Sequence, residues 1–255
     1  MSEAWWQSFF DADYLKVWSG SMPEERTVAE ADLLWRALAL HPGSRVLDAP
    51  CGYGRIARLL ASRGAMVVGV DQSSVLLEEA ERTRGDLDHT RLRYLRHDLR
   101  NALAEGFFDA AFNFFSSLGY GSERDDIAVL RTLSGSIRPG GIVLVETIHR
   151  DAFVALLSRE GQLARRLPNG TLLFEDSRFD AVTGRMETTW YWQGPSGGGQ
   201  KSASSRIYAI TELIQLLEQA GLRFRQALHS SSGNPFQGKG PNMGGRVALL
   251  ATRVS

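Results

Sequence analysis

Two acidic residues and a glycine turn are the first chemistry visible in the chain. The string RVLDAPCGYGRIA, residues 45–57, runs from aliphatic residues through Asp48 into a turn carrying Gly52 and Gly54, then into residues with helical spacing. A strand, a glycine turn and a helix in that order present free backbone N–H groups at the carboxyl end of a sheet, where open α/β folds bind ligands. Asp48 narrows the choice of ligand. A carboxylate just before the turn repels a pyrophosphate and can orient a cationic group. The next apolar run, in VVGVDQS, ends on Asp71, and a carboxylate at that place accepts hydrogen bonds from both ribose hydroxyls. The ligand expected from these residues is a nucleoside with positive charge nearby.

A dinucleotide is the competing ligand. Gly52 and Gly54 fit the first pair of a G-x-G-x-x-G fingerprint, and Ala57 stands at its third position, where alanine is tolerated. A nicotinamide-dependent oxidoreductase therefore stays open as an alternative, against which Asp48 argues. Cys51, the single cysteine, cannot form an internal disulfide and has no histidine partner in a known motif. It reads as a filler of the tight space beneath the turn.

These residues need elements to hold them. Apolar residues repeat at helical spacing over 27–40 and stop at HPG, 41–43; strands are expected over 45–49, 65–70, 91–98, 108–115 and 141–147, and helices over 55–64, 73–84 and 124–137. Parallel strands need crossovers, so this alternation predicts a Rossmann-like, seven-stranded, mostly parallel α/β sheet with helices on both faces. After residue 148 the pattern changes. Residues 172–194 read as two strands around the turn DAVTGR, and PSGGGQKSASS, 195–205, reads as a mobile polar loop. A helix over 211–221 and two β-rich runs, LRFRQAL and RVALLATRV, complete the sheet.

Composition excludes several classes. Lys+Arg and Asp+Glu are equal at 29 each, so the chain lacks the positive field that long phosphate polymers select, and no nucleic acid partner is expected. No window offers the uninterrupted apolar run of a membrane helix, and no CxxC or HExxH spacing offers a metal site. A soluble, cytoplasmic protein with no metal and no membrane partner is expected, as monomer or homodimer.

The strings VLDAPCGYGRIA, VVGVDQS, RHDLR, FDAAFNFFSSLGY and IRPGGIVLVE stand in the order and spacing that resemble class I S-adenosylmethionine-dependent methyltransferases. The resemblance covers residues 27–148, and ELIQLLEQAGLRF is similar to the family's last helix and strand. It is nearest to small-molecule, natural-product enzymes with a PCGxGR turn and an antiparallel insertion after the fifth strand. It implies S-adenosyl-L-methionine as cofactor, S-adenosyl-L-homocysteine as product, and a small-molecule methyl acceptor in secondary metabolism. Asp48, Ala49, Gly52 and Gly54 would face the methionine part of the cofactor, Asp71 the ribose, and Gln72 the adenine edge. Asp98 would accept the adenine amino group with Leu99 beside it, and Asn113 and Phe114 would present backbone near the ammonium and sulfonium.

Methyl transfer from a sulfonium needs a base only where the nucleophile carries a proton. His149, with an unperturbed pKa near neutrality, is the first candidate. Glu146 could be a second base or an anchor for an ammonium, and Tyr120 could donate a hydrogen bond or simply pack. The N-terminal aromatics Trp5, Trp6, Phe9, Phe10, Tyr14 and Trp18 suggest a lid with Tyr14 as its polar tip. Trp190 and Trp192 share one strand face that could wall a planar acceptor, and Arg178 and Arg206 could bind an acidic one. The chain thus divides into an arm, 1–26, a cofactor-binding domain, 27–148 with 207–255, and an acceptor-side cover, 149–206. The acceptor atom, whether N, O or C, is open, and a methyltransferase-like binding protein without catalysis is a further alternative.

Overall fold

Apolar side chains on one face of each helix and both faces of the inner strands dictate a layered packing, and the computed structural model shows it. It describes residues 4–157, 162–195, 197–238 and 245–254. Helices α1 (Trp6–Phe9) and α2 (Ala12–Trp18) form the N-terminal arm, followed by α3 (Glu24–Ala37). Then come β1 (Arg45–Asp48), α4 (Arg55–Ser62), β2 (Met66–Asp71), α5 (Ser74–Arg82), β3 (Leu92–Arg96), β4 (Phe108–Asn113), α6 (Glu123–Ser136) and β5 (Ile137–Ile148). Helix α7 (Arg150–Leu157) leads to β6 (Gln162–Arg166), β7 (Leu172–Asp180), β8 (Arg185–Gly194) and β9 (Gly197–Arg206). Helix α8 (Ile210–Gln219), β10 (Leu222–His229) and β11 (Arg246–Arg253) close the chain.

Seven strands make one sheet in the order β10-β11-β5-β4-β1-β2-β3. All pairs are parallel except those of β11, which runs antiparallel to both neighbours. One face is covered by α3 and α4 through Ala31, Leu34, Ile56 and Leu60, the other by α6 and α8 through Leu130, Leu133, Leu213 and Leu217. Because β1 lies between β2 and β4, the connections leaving β1 and β4 diverge to opposite faces and open a crevice at their carboxyl ends. The expected mixed sheet is therefore present, with its binding crevice where the glycine turn sits.

Strand β5 begins earlier than its apolar run. Ile137 already pairs with Phe108, and the register shifts between Phe108 and Ala110. Gly141 permits this crowding, since a Cβ there would lie 2.9 Å from the Asp109 carbonyl oxygen.

A second, four-stranded antiparallel sheet, β6-β7-β8-β9, lies over the crevice side. Here the glycine-rich run expected as a mobile loop is strand β9, paired in continuous register from Gly197 opposite Gly194 to Arg206 opposite Arg185. Tertiary packing supplies what propensity withholds. A Cβ on Gly199 would sit 2.5 Å from Cζ2 of Trp192, so the bare glycine backbone lets the indole lie across it. Strand β6 and helix α7 have no alternating signal in the sequence. Every residue of β6 is exposed, and it exists because β7 offers a free edge.

The aromatic arm and this sheet form one cover. Trp18 packs edge-on against Trp190 at 5.9 Å and Trp192 at 6.0 Å, while Trp5 Nε1 donates to the Ser204 carbonyl at 2.8 Å. Lys201 Nζ reaches Asp11 Oδ2 at 2.8 Å, and that carboxylate's other oxygen caps α2. Each offset aromatic pair contributes about 0.5–1.5 kcal/mol beyond its area burial. The guanidinium of Arg185 on β8 donates to the carbonyls of Gly119, Tyr120 and Gly121 and to Ser204, fastening the second sheet to the loop after β4.

Gly119 is the tightest point of that junction. Its φ is +89°, and a Cβ would lie 2.0 Å from the Arg206 carbonyl oxygen. Gly119→Ala is expected to destabilise the fold by about 2 kcal/mol, read as a lowered urea midpoint; a midpoint equal to wild type would remove this contact from the account.

Candidate active site

Asp71 is the most constrained carboxylate of the crevice. Its Oδ2 accepts the Gly52 N–H and its Oδ1 the Ser73 N–H, both at 2.9 Å. The group is buried at the end of β2, and burial pushes its pKa up against the pull of those backbone bonds. Ser73 also caps α5 and donates its hydroxyl to the Phe10 carbonyl at 2.6 Å, joining the arm to the same turn. Gly52 takes a positive φ of +55°, and Gly54 both takes φ +74° and lies under Tyr94, whose hydroxyl would be 2.2 Å from an added Cβ. Two glycines are thus required for two reasons, one conformational and one steric.

Asp48 is 3 % exposed and faces the cavity. No described residue hydrogen-bonds its carboxylate, and burial pushes its pKa well above the usual carboxylate range while Arg55 opposes the shift. A buried carboxyl in that state is stabilised by a cation placed against it. Asp98 also lines the cavity, gripped by Arg100 through Nε at 3.0 Å and Nη2 at 2.6 Å, which holds its pKa below the ordinary value. Gln72, Leu99 and Phe114 complete this end of a cavity of about 1270 Å³, counting the solvent at its mouth.

Three other expected binding residues sit behind the wall. Ala49, Gly54 and Asn113 do not line the cavity. Asn113 is fully buried and donates from Nδ2 to the Ala49 carbonyl at 3.0 Å, tying the end of β4 to the turn after β1. Cys51 borders the cavity with its thiol pushed to high pKa by burial, the state of an inert thiol.

The arm walls part of the same cavity. Trp6, Phe10, Tyr14 and Trp18 line it together with Tyr53, Phe115 and Tyr120. Burial raises the pKa of Tyr14, and it raises that of Tyr120 to about 12, so both phenols stay protonated near neutrality. Trp190 and Trp192 support the arm from behind and do not reach the cavity. Arg178 is exposed beside Asp176, and Arg206 is engaged by Glu212 and the Thr183 carbonyl.

The structure does not bring Glu146 and His149 to this cavity. Glu146 is 0 % exposed, and Arg246 grips both its oxygens, through Nε to Oε1 and Nη2 to Oε2. Oε1 also accepts from the Ser230 hydroxyl and Oε2 from the Phe115 N–H, each at 2.8 Å. A carboxylate with four donors has no capacity left for a substrate proton. His149 is buried against Phe236, with Nε2 4.0 Å from Asp151 and Nδ1 without a partner among the described residues. The run from the fifth strand is apolar until Glu146, and only the tertiary position of Arg246 on the neighbouring β11 reveals that the acid is already paired. No helix among the described residues is long and apolar enough to cross a membrane, and no three His, Cys, Asp or Glu side chains among them cluster as metal ligands.

Residues 46–141 match the model of the methyltransferase domain family. A ubiquinone biosynthesis O-methyltransferase of Xanthomonas campestris is 30% identical over 139 residues, 53% of this chain and 56% of that protein. One from Rhizobium johnstonii is 32% identical over 139 residues, 52% of this chain and 53% of that protein. The match therefore spans a little over half the length of these relatives. The CcbJ methyltransferase of Streptomyces caelestis superposes with a TM-score of 0.81 at 17% identity, covering 98% of this chain and 99% of that one. The chain shares the fold of that methyltransferase over nearly its whole length, and residues 46–141 are similar to the methyltransferase domain family.

Burial lowers the pKa of His149 below its ordinary value of 6.5. The stability it lends is present above that value and is lost as the pH falls through the lowered folded-state pKa. Denaturation at about pH 7.5 and about pH 5.5 should show a larger loss for wild type than for His149→Gln; equal losses would mean that the imidazole titrates freely.

Proposed function

We propose that the protein transfers a methyl group from S-adenosyl-L-methionine to a small molecule. One observation carries the reading: a cavity joins Asp48, a carboxylate with no hydrogen-bond partner among the described residues, to Asp71, a carboxylate pre-set by Gly52 and Ser73, beside a wall of aromatic rings. The donor set fits the cofactor. Asp48 would take its ammonium, Asp71 the ribose hydroxyls, and Asp98 with Leu99 and Gln72 the adenine. When bound, that cofactor supplies an electrophilic methyl group and its own leaving group.

The chain's own share is to hold, orient and exclude water. The arm closes one side of the cavity through Trp6, Phe10, Tyr14 and Trp18, and its latches to Ser73, Ser204 and Lys201 keep it there. Enclosure of this kind favours a small acceptor over a polymer. Tyr14 and Tyr120, protonated by burial, would steer the acceptor through hydrogen bonds. Neither has the pKa of a general base. The acceptor is then a nucleophile that reacts without losing its proton to His149 or Glu146. Similarity in fold to CalS10 of Micromonospora echinaspora, an amino pentose methyltransferase involved in calicheamicin biosynthesis, supports a natural-product acceptor. We place the enzyme in the cytoplasm, as monomer or homodimer.

Thermal-shift titration tests the donor. S-adenosylhomocysteine should raise the melting temperature and NAD should not; stabilisation by NAD alone would replace this reading with a dehydrogenase. Asp71→Ala should weaken S-adenosylhomocysteine binding about tenfold to a hundredfold, since it removes a charged acceptor of two ribose hydrogen bonds.

A further inference from the structure

Tyr120 stands between two glycines, Gly119 and Gly121, in a loop. Such a backbone is loose unless something outside it holds it, because glycine has the most conformational freedom to lose. The holder is a side chain of the second sheet. Arg185 on β8 does not line the cavity. Its Nη2 donates to the Tyr120 carbonyl at 3.0 Å and the Gly119 carbonyl at 3.3 Å, and its Nη1 to the Gly121 carbonyl at 3.1 Å. Three consecutive carbonyls are thus gathered on one cation.

The guanidinium forms no ion pair among the described residues, so these carbonyls and Ser204 answer its charge. Hydrogen bonds from a charged donor are roughly twice as strong as neutral ones. The same loop is pinned from its other side. The Gly119 N–H donates to Asp126 Oδ1 at 2.8 Å, and the other oxygen of that carboxylate accepts the Tyr208 hydroxyl at 2.6 Å. The Gly119 carbonyl also accepts the Arg206 N–H at 2.7 Å.

Arg185 reaches the Tyr120 ring by a second route. Its Nε donates to Ser204 Oγ at 2.7 Å and its Nη2 to the Ser204 carbonyl, the oxygen that also accepts Trp5 Nε1 at 2.8 Å. Trp5 in turn packs edge-on against Tyr120, with ring centroids 4.9 Å apart at 64°. Phe10 and Trp6, which line the cavity, lie 5.8 and 6.5 Å from the same ring. One side chain therefore holds Tyr120 by its backbone and by its ring neighbour. None of its partners belongs to the glycine turn or to Asp48, Asp71 or Asp98.

We propose that Arg185 is a positioning residue for the methyl acceptor: it does not touch the acceptor, and it fixes Tyr120 and Trp5 in the arrangement that shapes the acceptor wall. In-line transfer depends on such alignment, so a wall displaced from outside the cavity is costly. The purpose of that wall rests on the methyl-transfer reading above. Calorimetry with S-adenosylhomocysteine reads the donor end, and NMR on protein labelled in its tyrosine and tryptophan rings reads the wall. In wild type an NOE should join the Trp5 and Tyr120 rings, assigned through Trp5→Phe and Tyr120→Phe. Arg185→Met should lose that NOE and split the Tyr120 resonance, while affinity for S-adenosylhomocysteine stays within about threefold of wild type. Arg185→Lys, which keeps the charge and loses the fork, should show an NOE of intermediate intensity.

A merely structural role predicts a lowered urea midpoint for Arg185→Met with the Tyr120 resonance of the folded protein unmoved, and that result would overturn the proposal. So would loss of the NOE together with a loss of S-adenosylhomocysteine affinity beyond about tenfold, since Arg185 would then hold the whole cavity. Should Arg185→Met fail to fold, Arg185→Lys decides: an NOE and a Tyr120 resonance equal to wild type overturn the proposal, and a weakened NOE with affinity kept sustains it. Failure of the wild type to bind S-adenosylhomocysteine would instead sink the methyl-transfer reading and the acceptor role with it.

Discussion

Everything at the carboxyl end of this sheet depends on one carboxylate bridging two turns. Asp71 accepts the N–H of Gly52 with one oxygen and of Ser73 with the other, cross-linking the turn after β1 to the turn after β2. Both N–H groups are unsatisfied by their own elements, so the bridge answers a backbone need as well as shaping a site. With it in place, the loop between Asp48 and Gly54 has a fixed path, and the free carboxylate of Asp48 is aimed where a cation can meet it. Burial makes the arrangement electrostatically expectant: a partnerless acid in low dielectric is stabilised by binding.

The same turn reaches the cover. Ser73 presents its N–H to Asp71 and its hydroxyl to the arm at Phe10, so an interaction at the glycine-turn end also fixes the residue that follows α1. From there the aromatic arm meets the second sheet through Trp18, Trp190 and Trp192, and that sheet meets the loop after β4 through Arg185. The arm and the loop after β4 therefore wall the cavity, and the second sheet, far from both in sequence, braces them from outside through a few polar latches and a continuous aromatic contact. Chemistry that relies on holding two small molecules in line and keeping water away needs such enclosure more than it needs a dedicated acid or base.

Charged groups that look available in the sequence differ in what the fold has already assigned to them. Glu146 and Asp48 are both at strand ends near the crevice, yet Glu146 has four donors on its two oxygens and Asp48 has no hydrogen-bond partner among the described residues. His149 is similarly withdrawn, packed against Phe236. The order of the sheet decides this, since β11 inserted beside β5 delivers Arg246 to Glu146.

Local pattern was enough for the sheet, the glycine turn and the pair Asp48 and Asp71, because strand and helix periods and glycine punctuation are short-range signals. It was enough, too, for the aromatic face of Trp190 and Trp192 and for Ser73 as a cap. It misplaced β9, since glycine weighs against a strand until Trp192 lies across it. It could not find β6, a strand with no apolar alternation that a neighbouring edge recruits. The sequence by itself determined that Asp48 and Asp71 end neighbouring strands beside a glycine turn. Only the tertiary structure decided which carboxylate is already gripped, Glu146 by Arg246, and which, Asp48, has no hydrogen-bond partner among the described residues, because a side chain's availability depends on partners brought from a hundred residues away.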